Sequence, residues 1–336
     1  MPSKMSKQNT ERYKSVLLSD GGVFPRKPLV TKLLLIEGIS RSGKFLLSDL
    51  LAGFADMEPV QTHVSLEHIP IFEKLGLIET EAARELLRCE VDVYSYEMLI
   101  GRTLNLRKSD KSTIFNHPRY KEFLGRTEAA DPQTLLKKFN AGAYSLFIGH
   151  ELMPHIKMYF ETFPQMKVLS LKRSPVDLAA SWHKRGYGDR IAVDPTFFMI
   201  PFRSANGAVP WYALSWKEDF YKMSPMDRII RSLDTLFAMS QKSYARLPRR
   251  YQRLVLFLSY EQIVAKPHET VAELKRFLGK RILPAMKQIL KREKLPNPGR
   301  LFEKEAKLRD IKKLSSPKYF ARLLELEKKY QRSLKI

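Results

Sequence analysis

The sequence predicts an α/β fold, a three-layer arrangement in which a parallel sheet carries helices on both faces. Two observations support this. Four short runs, 33–36, 145–148, 168–171 and 254–258, are nearly continuous in apolar residues, as strands covered on both faces must be. Stretches of helical periodicity separate them, and parallel strands joined through helices by right-handed crossovers are the natural solution. A chain of 336 residues that is 44% hydrophobic can bury the core this requires.

The chain divides into a basic flexible arm, 1–28, and a single α/β domain, 29–336. The arm is polar, carries Lys4, Lys7, Arg12, Lys14, Arg26 and Lys27, and closes with Pro25 and Pro28. After the first strand the chain turns through a glycine-bounded loop into a helical pattern with Leu46, Leu47, Leu50, Leu51 and Phe54 on one side. Residues 80 to about 106 are helical by composition, and Cys89 within them reads as a buried structural thiol. The strand at 168–171 runs into Ser174, Pro175 and Asp177, which read as N-cap, first-turn proline and acidic third position of a helix. Residues 185–215 mix Gly, Pro and aromatics without periodicity and read as a substrate-side loop or lid. A helix is expected over Pro267–Leu278, with proline in its first turn and Gly279 just past its end. The last segment opens with Ser316-Pro317 and reads as a docked helix with Phe320, Leu323, Leu324, Tyr330 and Leu334 inward.

The net charge is +23, from 59 Lys and Arg against 36 Asp and Glu, which favours anionic partners without choosing among them. One cysteine excludes a disulfide within the chain and any CxxC metal site. No run approaches ~18 apolar residues, and no apolar signal core stands at the N-terminus. The expectation is a soluble, cytoplasmic protein with no transmembrane segment.

The residues from Leu33 to Phe45 carry the strongest chemical signal. An apolar strand drops into Gly38-Ile39-Ser40-Arg41-Ser42-Gly43-Lys44 and then a helix. Such a turn aims backbone N–H groups and a positive helix end at a phosphate. Gly38, Gly43 and Lys44 spell the P-loop pattern G-x-x-x-x-G-K, but Phe45 stands where a magnesium-binding Ser or Thr belongs. The second signal is Arg173, held at the C-terminal edge of the sheet, with Ser181 eight residues later and two turns into the helix. Together they suit one phosphate, the arginine through charge-assisted hydrogen bonds. Alone, this block reads more readily as an ordinary capped helix with a surface arginine.

Taken together, the two blocks resemble the P-loop sulfotransferases, which move a sulfuryl group from PAPS (3′-phosphoadenylyl sulfate) to an acceptor. Arg41-Ser42-Gly43 matches the family's 5′-phosphosulfate loop. Arg173-Ser174-Pro175-Val176-Asp177-Leu178 followed by Ser181 matches its 3′-phosphate block, and Ser259-Tyr260-Glu261 looks like its Tyr-Glu strand end. The resemblance spans residues 31–48 and 144–183, with a weaker match over 252–280. It implies that Arg41, Ser42, Gly43, Lys44 and Phe45 cradle the 5′-phosphosulfate and that Arg173 and Ser181 bind the 3′-phosphate. The family carries threonines where this chain has Lys44 and Phe45; Lys44 replaces a hydroxyl with a point charge on the transferring oxygens. No metal is required on this reading.

His150, at the end of the second predicted strand and 23 residues before Arg173, is the candidate general base, an imidazole being suited to taking a hydroxyl proton at neutral pH. Glu151 is the alternative base, and His155 reads as a surface residue. The expected function is sulfuryl transfer from PAPS, with PAP as product, to a hydroxyl or amine of a small-molecule or glycan acceptor; the basic charge tilts toward an anionic carbohydrate. The alternative is a P-loop NTP-dependent kinase, and a third reading is a non-enzymatic polyanion-binding protein. Nucleic acid is disfavoured, since charge is its only support.

Overall fold

The computed structural model describes residues 22–128 and 131–334. Residues 1–21 of the basic arm lie outside the described residues. Its remainder is irregular, and Arg26 pairs with the buried Asp92 at 3.0 Å.

The chain runs through β1 (Leu33–Glu37), α1 (Lys44–Leu51), β2 (Met57–Thr62), α2 (Val64–Lys74), α3 (Thr80–Leu99) and β3 (Tyr144–Ile148). It continues through α4 (Ile156–Thr162), β4 (Lys167–Lys172), α5 (Pro175–Lys184), the hairpin β5 (Phe202–Ser204) and β6 (Gly207–Val209), and α6 (Pro225–Ala245). It then forms β7 (Val255–Ser259), α7 (Pro267–Leu278), α8 (Lys304–Leu314) and α9 (Pro317–Ser333). Shorter helices fill the connections. Five strands make one parallel sheet in the order β2-β3-β1-β4-β7. β1 is central, with Leu34 opposite Leu146 on one side and Lys167 on the other.

All five residues of β1 are buried, because the pleat sends alternate side chains into two separate cores. Leu33 and Leu35 join Leu87 and Val91 of α3 and Ile156 and Phe160 of α4. Leu34 and Ile36 face the other way, onto Leu47 and Leu50 of α1 and Leu274 and Leu278 of α7. Each such side chain is worth roughly 1.5–3 kcal/mol when fully buried. A third core lies outside the sheet, where Trp182 of α5 packs with Ile230 and Leu233 of α6, Ile311 of α8 and Leu323 of α9.

The four expected strands and the helices on both faces are present. β2 was not expected: its sequence, Met-Glu-Pro-Val-Gln-Thr, is half polar and contains Pro59. Such a segment is tolerated because β2 is an edge strand with a register irregularity between Met57 and Val60. α3 stops at Leu99 rather than near 106, since Gly101 takes φ +80°. Cys89 is exposed, correcting the expectation of a buried thiol. The inward stripe of α3 runs through Ala83, Leu87 and Val91, and two positions past Leu87 point about 200° away from it. In α9 the inward residues are Leu323, Leu326, Glu327 and Tyr330, whereas Leu324 and Leu334 are exposed. No helix among the described residues is long and apolar enough to cross a membrane.

Candidate active site

The loop between β1 and α1 is held in a conformation that few residues permit. Gly38 takes φ +149°, and a Cβ there would lie 2.4 Å from the Leu171 carbonyl oxygen. Gly43 takes φ +102°, and a Cβ there would strike the Tyr260 ring at 2.5 Å. Arg41 itself adopts φ +74°. Gly43 caps α1 and has no side chain, so no side chain satisfies the first-turn N–H groups. Trp182 of α5 ties the loop down by donating from Nε1 to the Ser40 carbonyl oxygen at 2.8 Å. Ser42 Oγ is buried with no hydrogen-bond partner.

Lys44 turns inward. Its Nζ donates to the carbonyl oxygens of Gly38 at 2.7 Å and Ile39 at 3.2 Å, and its side chain is buried. Burial lowers its pKa, against the pull of Glu151 and Glu37. Phe45 is partly buried in the core of the α1 face and offers only its backbone to the loop.

The second block converges on this loop. β4 delivers Arg173 to the sheet edge, and Ser174 caps α5 by accepting from the Asp177 N–H at 3.4 Å. Arg173 Nη1 donates to the Arg41 carbonyl oxygen at 2.9 Å, and Arg41 Nε donates to Ser181 Oγ at 3.2 Å. The Arg173 guanidinium also stacks 4.3 Å from the centre of the Tyr260 ring. Arg173 Nε is buried and unpartnered, its nearest carboxylate oxygen on Asp177 standing 3.8 Å away. Burial, then the neighbouring Arg185 and Arg173, push the pKa of Arg41 down. Such a cluster of like charges around orphaned donors suits a multiply charged anion.

His150 follows β3 at the same edge. Its Nδ1 lies 2.7 Å from Glu67 Oε1 of α2, and its backbone N–H donates to that oxygen at 2.9 Å. A cavity of about 200 Å³ opens beside it. Ser40, Glu67, His68, His150, Glu151 and Tyr187 supply its polar lining, and Val64, Ile71, Phe197, Phe198, Met199 and Trp211 its apolar lining. The expected loop over 185–215 thus reaches this cavity through Tyr187, Phe197, Phe198, Met199 and Trp211. Glu151 sits at φ +54° and accepts from the Ser40 N–H at 2.6 Å, with burial raising its pKa. His155 is buried against Trp211, ring centres 4.8 Å apart, and burial lowers its pKa to about 3. That corrects the expectation of a surface residue: the short helical turn after β3 points it inward.

The family model described as the sulfotransferase domain matches residues 150–298. That stretch is similar to the sulfotransferase domain. His150, Arg173 and Ser181 fall inside the matched stretch, and the fold brings the Gly38–Phe45 loop, which precedes it, against them. No curated protein matches the chain. Among solved structures, the sulfotransferase domain from the curacin biosynthetic pathway is similar at 14% identity, with 79% of this chain and 78% of that one covered and a TM-score of 0.44. The sulfotransferase domain of the Synechococcus PCC 7002 olefin synthase aligns at 15% identity over 91% and 97% of the two chains, with a TM-score of 0.43. A Mycobacterium avium sulfotransferase aligns at 12% identity over 86% and 73%, with a TM-score of 0.40.

Three residues at the edge of this site were not anticipated. Glu67 lies on a helix with no recognisable motif. Glu37, which ends β1, is buried, accepts from Ser170 Oγ and from the Met153 N–H, and has its pKa raised by burial. Glu327 of α9 reaches the N-terminus of α5, accepting from Ser174 Oγ at 2.7 Å and from the Val176 N–H at 3.3 Å. Glu261, in the Tyr-Glu strand end, supports the same turn by accepting from the Ser174 N–H at 3.0 Å.

Proposed function

We propose that this protein is a sulfotransferase that transfers a sulfuryl group from PAPS to a hydroxyl group of a small acceptor. The observation that carries the reading is the meeting of the two sequence blocks through Arg41, with Ser181 on its side chain and Arg173 on its carbonyl. The residues fit the donor: the two blocks joined by hydrogen bonds through Arg41 each carry a buried polar atom without a hydrogen-bond partner, Ser42 Oγ and Arg173 Nε, and α1 starts without a side-chain cap. On this reading the loop amides from Ser42 to Phe45 hold the 5′-phosphosulfate, and Arg173, Ser181 and Arg41 hold the 3′-phosphate. Lys44 shapes the loop and adds positive charge beneath it.

His150 is the general base. With Glu67 as a carboxylate, Nδ1 carries the proton it donates to Glu67, so Nε2 is left as the acceptor. Nε2 takes the hydroxyl proton while the acceptor oxygen bonds to sulfur. The bond from sulfur to the bridging phosphate oxygen breaks, and PAP leaves with that electron pair. A positioned base of this kind contributes about 10²–10⁴ in rate.

Incubating the protein with PAPS and a mixture of hydroxyl-bearing acceptors tests this directly. The expected result is PAP release matched by an acceptor that has gained one SO₃ unit. PAP release with no sulfated acceptor, or no consumption of PAPS, contradicts it.

A further inference from the structure

We propose that Lys307 of α8 is a positioning residue for the donor site: it holds the Asp177 carboxylate away from Arg173 and so leaves that guanidinium free for the 3′-phosphate. This rests on the sulfotransferase reading and deepens it. It also draws in a helix that lies beyond the matched stretch of 150–298.

The first observation is that the start of α5 has no backbone donor to spare. Pro175 has no N–H, the Val176 N–H is taken by Glu327 at 3.3 Å, and the Asp177 N–H is taken by Ser174 Oγ at 3.4 Å. The start of α1, where no side chain caps the first turn, differs in this. An anion at the α5 turn is therefore met by side chains, and Arg173 is the cation that the turn itself carries.

The second observation is what holds the carboxylates around that arginine. Glu327 Oε1 accepts from Lys304 Nζ and from Gln331 Nε2, and its Oε2 accepts from Ser174 Oγ. Glu261 accepts from the Ser174 N–H and from the Tyr330 hydroxyl. Asp177 Oδ1 accepts from Lys307 Nζ at 2.8 Å, while its Oδ2 stands 3.8 Å from Arg173 Nε, beyond hydrogen-bond distance. Arg173 thus sits at a turn shared with three carboxylates and, among the described residues, is hydrogen-bonded to none of them. Its bond is to the Arg41 carbonyl oxygen.

Asp177 is the carboxylate placed to close on Arg173. Asp177 is only 9% exposed, so without Lys307 its Oδ1 has little water to turn to. A shift of about 1 Å would give a charge-assisted hydrogen bond to Arg173 and neutralise the charge that a phosphate needs. The other contact of Lys307, to Glu303 at 3.5 Å, involves a carboxylate that is 76% exposed and competes weakly. Lys304 and Lys307 stand three residues apart on one face of α8, and the helix offers one ammonium to Glu327 and one to Asp177.

Calorimetric titration of PAP and 5′-AMP against the parent, Lys307→Met, Asp177→Asn and the double variant tests this. Lys307→Met should cut the preference for PAP over 5′-AMP at least about threefold with 5′-AMP affinity unmoved, and Lys307→Arg should keep the preference. In the Asp177→Asn background the same Lys307→Met change should cost less than about twofold, because asparagine has no charge with which to quench Arg173. An equal loss in both backgrounds would mean that Lys307 acts only by adding positive charge, and overturns the proposal. A preference that survives Lys307→Met overturns it too. Should the methionine variant fail to fold, Lys307→Ala carries the same expectations. If the parent shows no preference for PAP, the donor reading itself fails and this inference falls with it; a parent preference indifferent to Lys307 sinks this inference alone.

Discussion

Glu67 Oε1 accepts two hydrogen bonds from one residue, His150, from the backbone N–H at 2.9 Å and from Nδ1 at 2.7 Å. The double contact fixes where the strand ends and which way its imidazole faces. It joins residues 83 apart in sequence and ties α2 to the end of β3.

His150→Ala should lower turnover by roughly 10²–10⁴ and leave PAP affinity within a factor of a few, since the imidazole faces the acceptor cavity. Glu67→Ala should act through His150, lowering kcat at least about tenfold with PAP affinity retained. Glu67→Gln, which keeps an oxygen for both N–H groups, should recover part of that loss. Steady-state kinetics beside PAP titration separates these outcomes. A fully active His150→Ala enzyme with an inactive Glu151→Gln would move the base one residue along.

Lys44 is predicted to be as much a loop brace as a charge. Lys44→Ala removes one of the two hydrogen bonds that each of the Gly38 and Ile39 carbonyl oxygens accepts, a bond to a charged donor being worth about 1.5–3 kcal/mol. Thermal unfolding midpoint and PAP affinity should therefore fall together. A loss of affinity with an unchanged midpoint would mean that the amine faces the donor instead.

Asp49 of α1 is pushed up to about 7 by burial and then by Glu293, against the pairing with Arg292 at 3.0 Å. Its folded pKa stands above its unfolded one, so between about pH 4 and 7 the native state binds the extra proton and is stabilised by it. That stabilisation is lost as pH rises through 7. Asp49→Asn mimics the protonated form, so the variant should gain stability relative to the parent on going from pH 5 to pH 8. Comparing the two proteins at each pH cancels the buried His117 and His155, whose pKa values lie near 3. A constant difference in denaturation midpoint across that range would contradict the prediction.

What was legible in the sequence was local. Gly38, Gly43 and the Arg173–Ser181 spacing announce themselves because backbone turns and helix caps demand particular residues at fixed offsets. The buried strands were legible because both faces of each are covered. The partners that arrive from afar were not. Glu67 sits on α2 in a stretch without a motif, and Glu327 reaches Ser174 across 153 positions. β2 hides its strand character behind Pro59 at an edge. His155 and Cys89 were misplaced for a related reason: which way a helical residue faces depends on the element packed against it, and neither Trp211 nor the sheet is visible from the local pattern.

The central claim is that Arg41, Arg173 and Ser181 form a site for the second phosphate of the donor, and calorimetric titration with PAP and 5′-AMP tests it most directly. PAP should bind at least about tenfold more tightly than 5′-AMP, ~1.4 kcal/mol, a modest return for an arginine–phosphate pair. Arg173→Ala should erase most of that preference while the protein remains folded. Equal affinity for the two nucleotides in the parent protein would contradict the account.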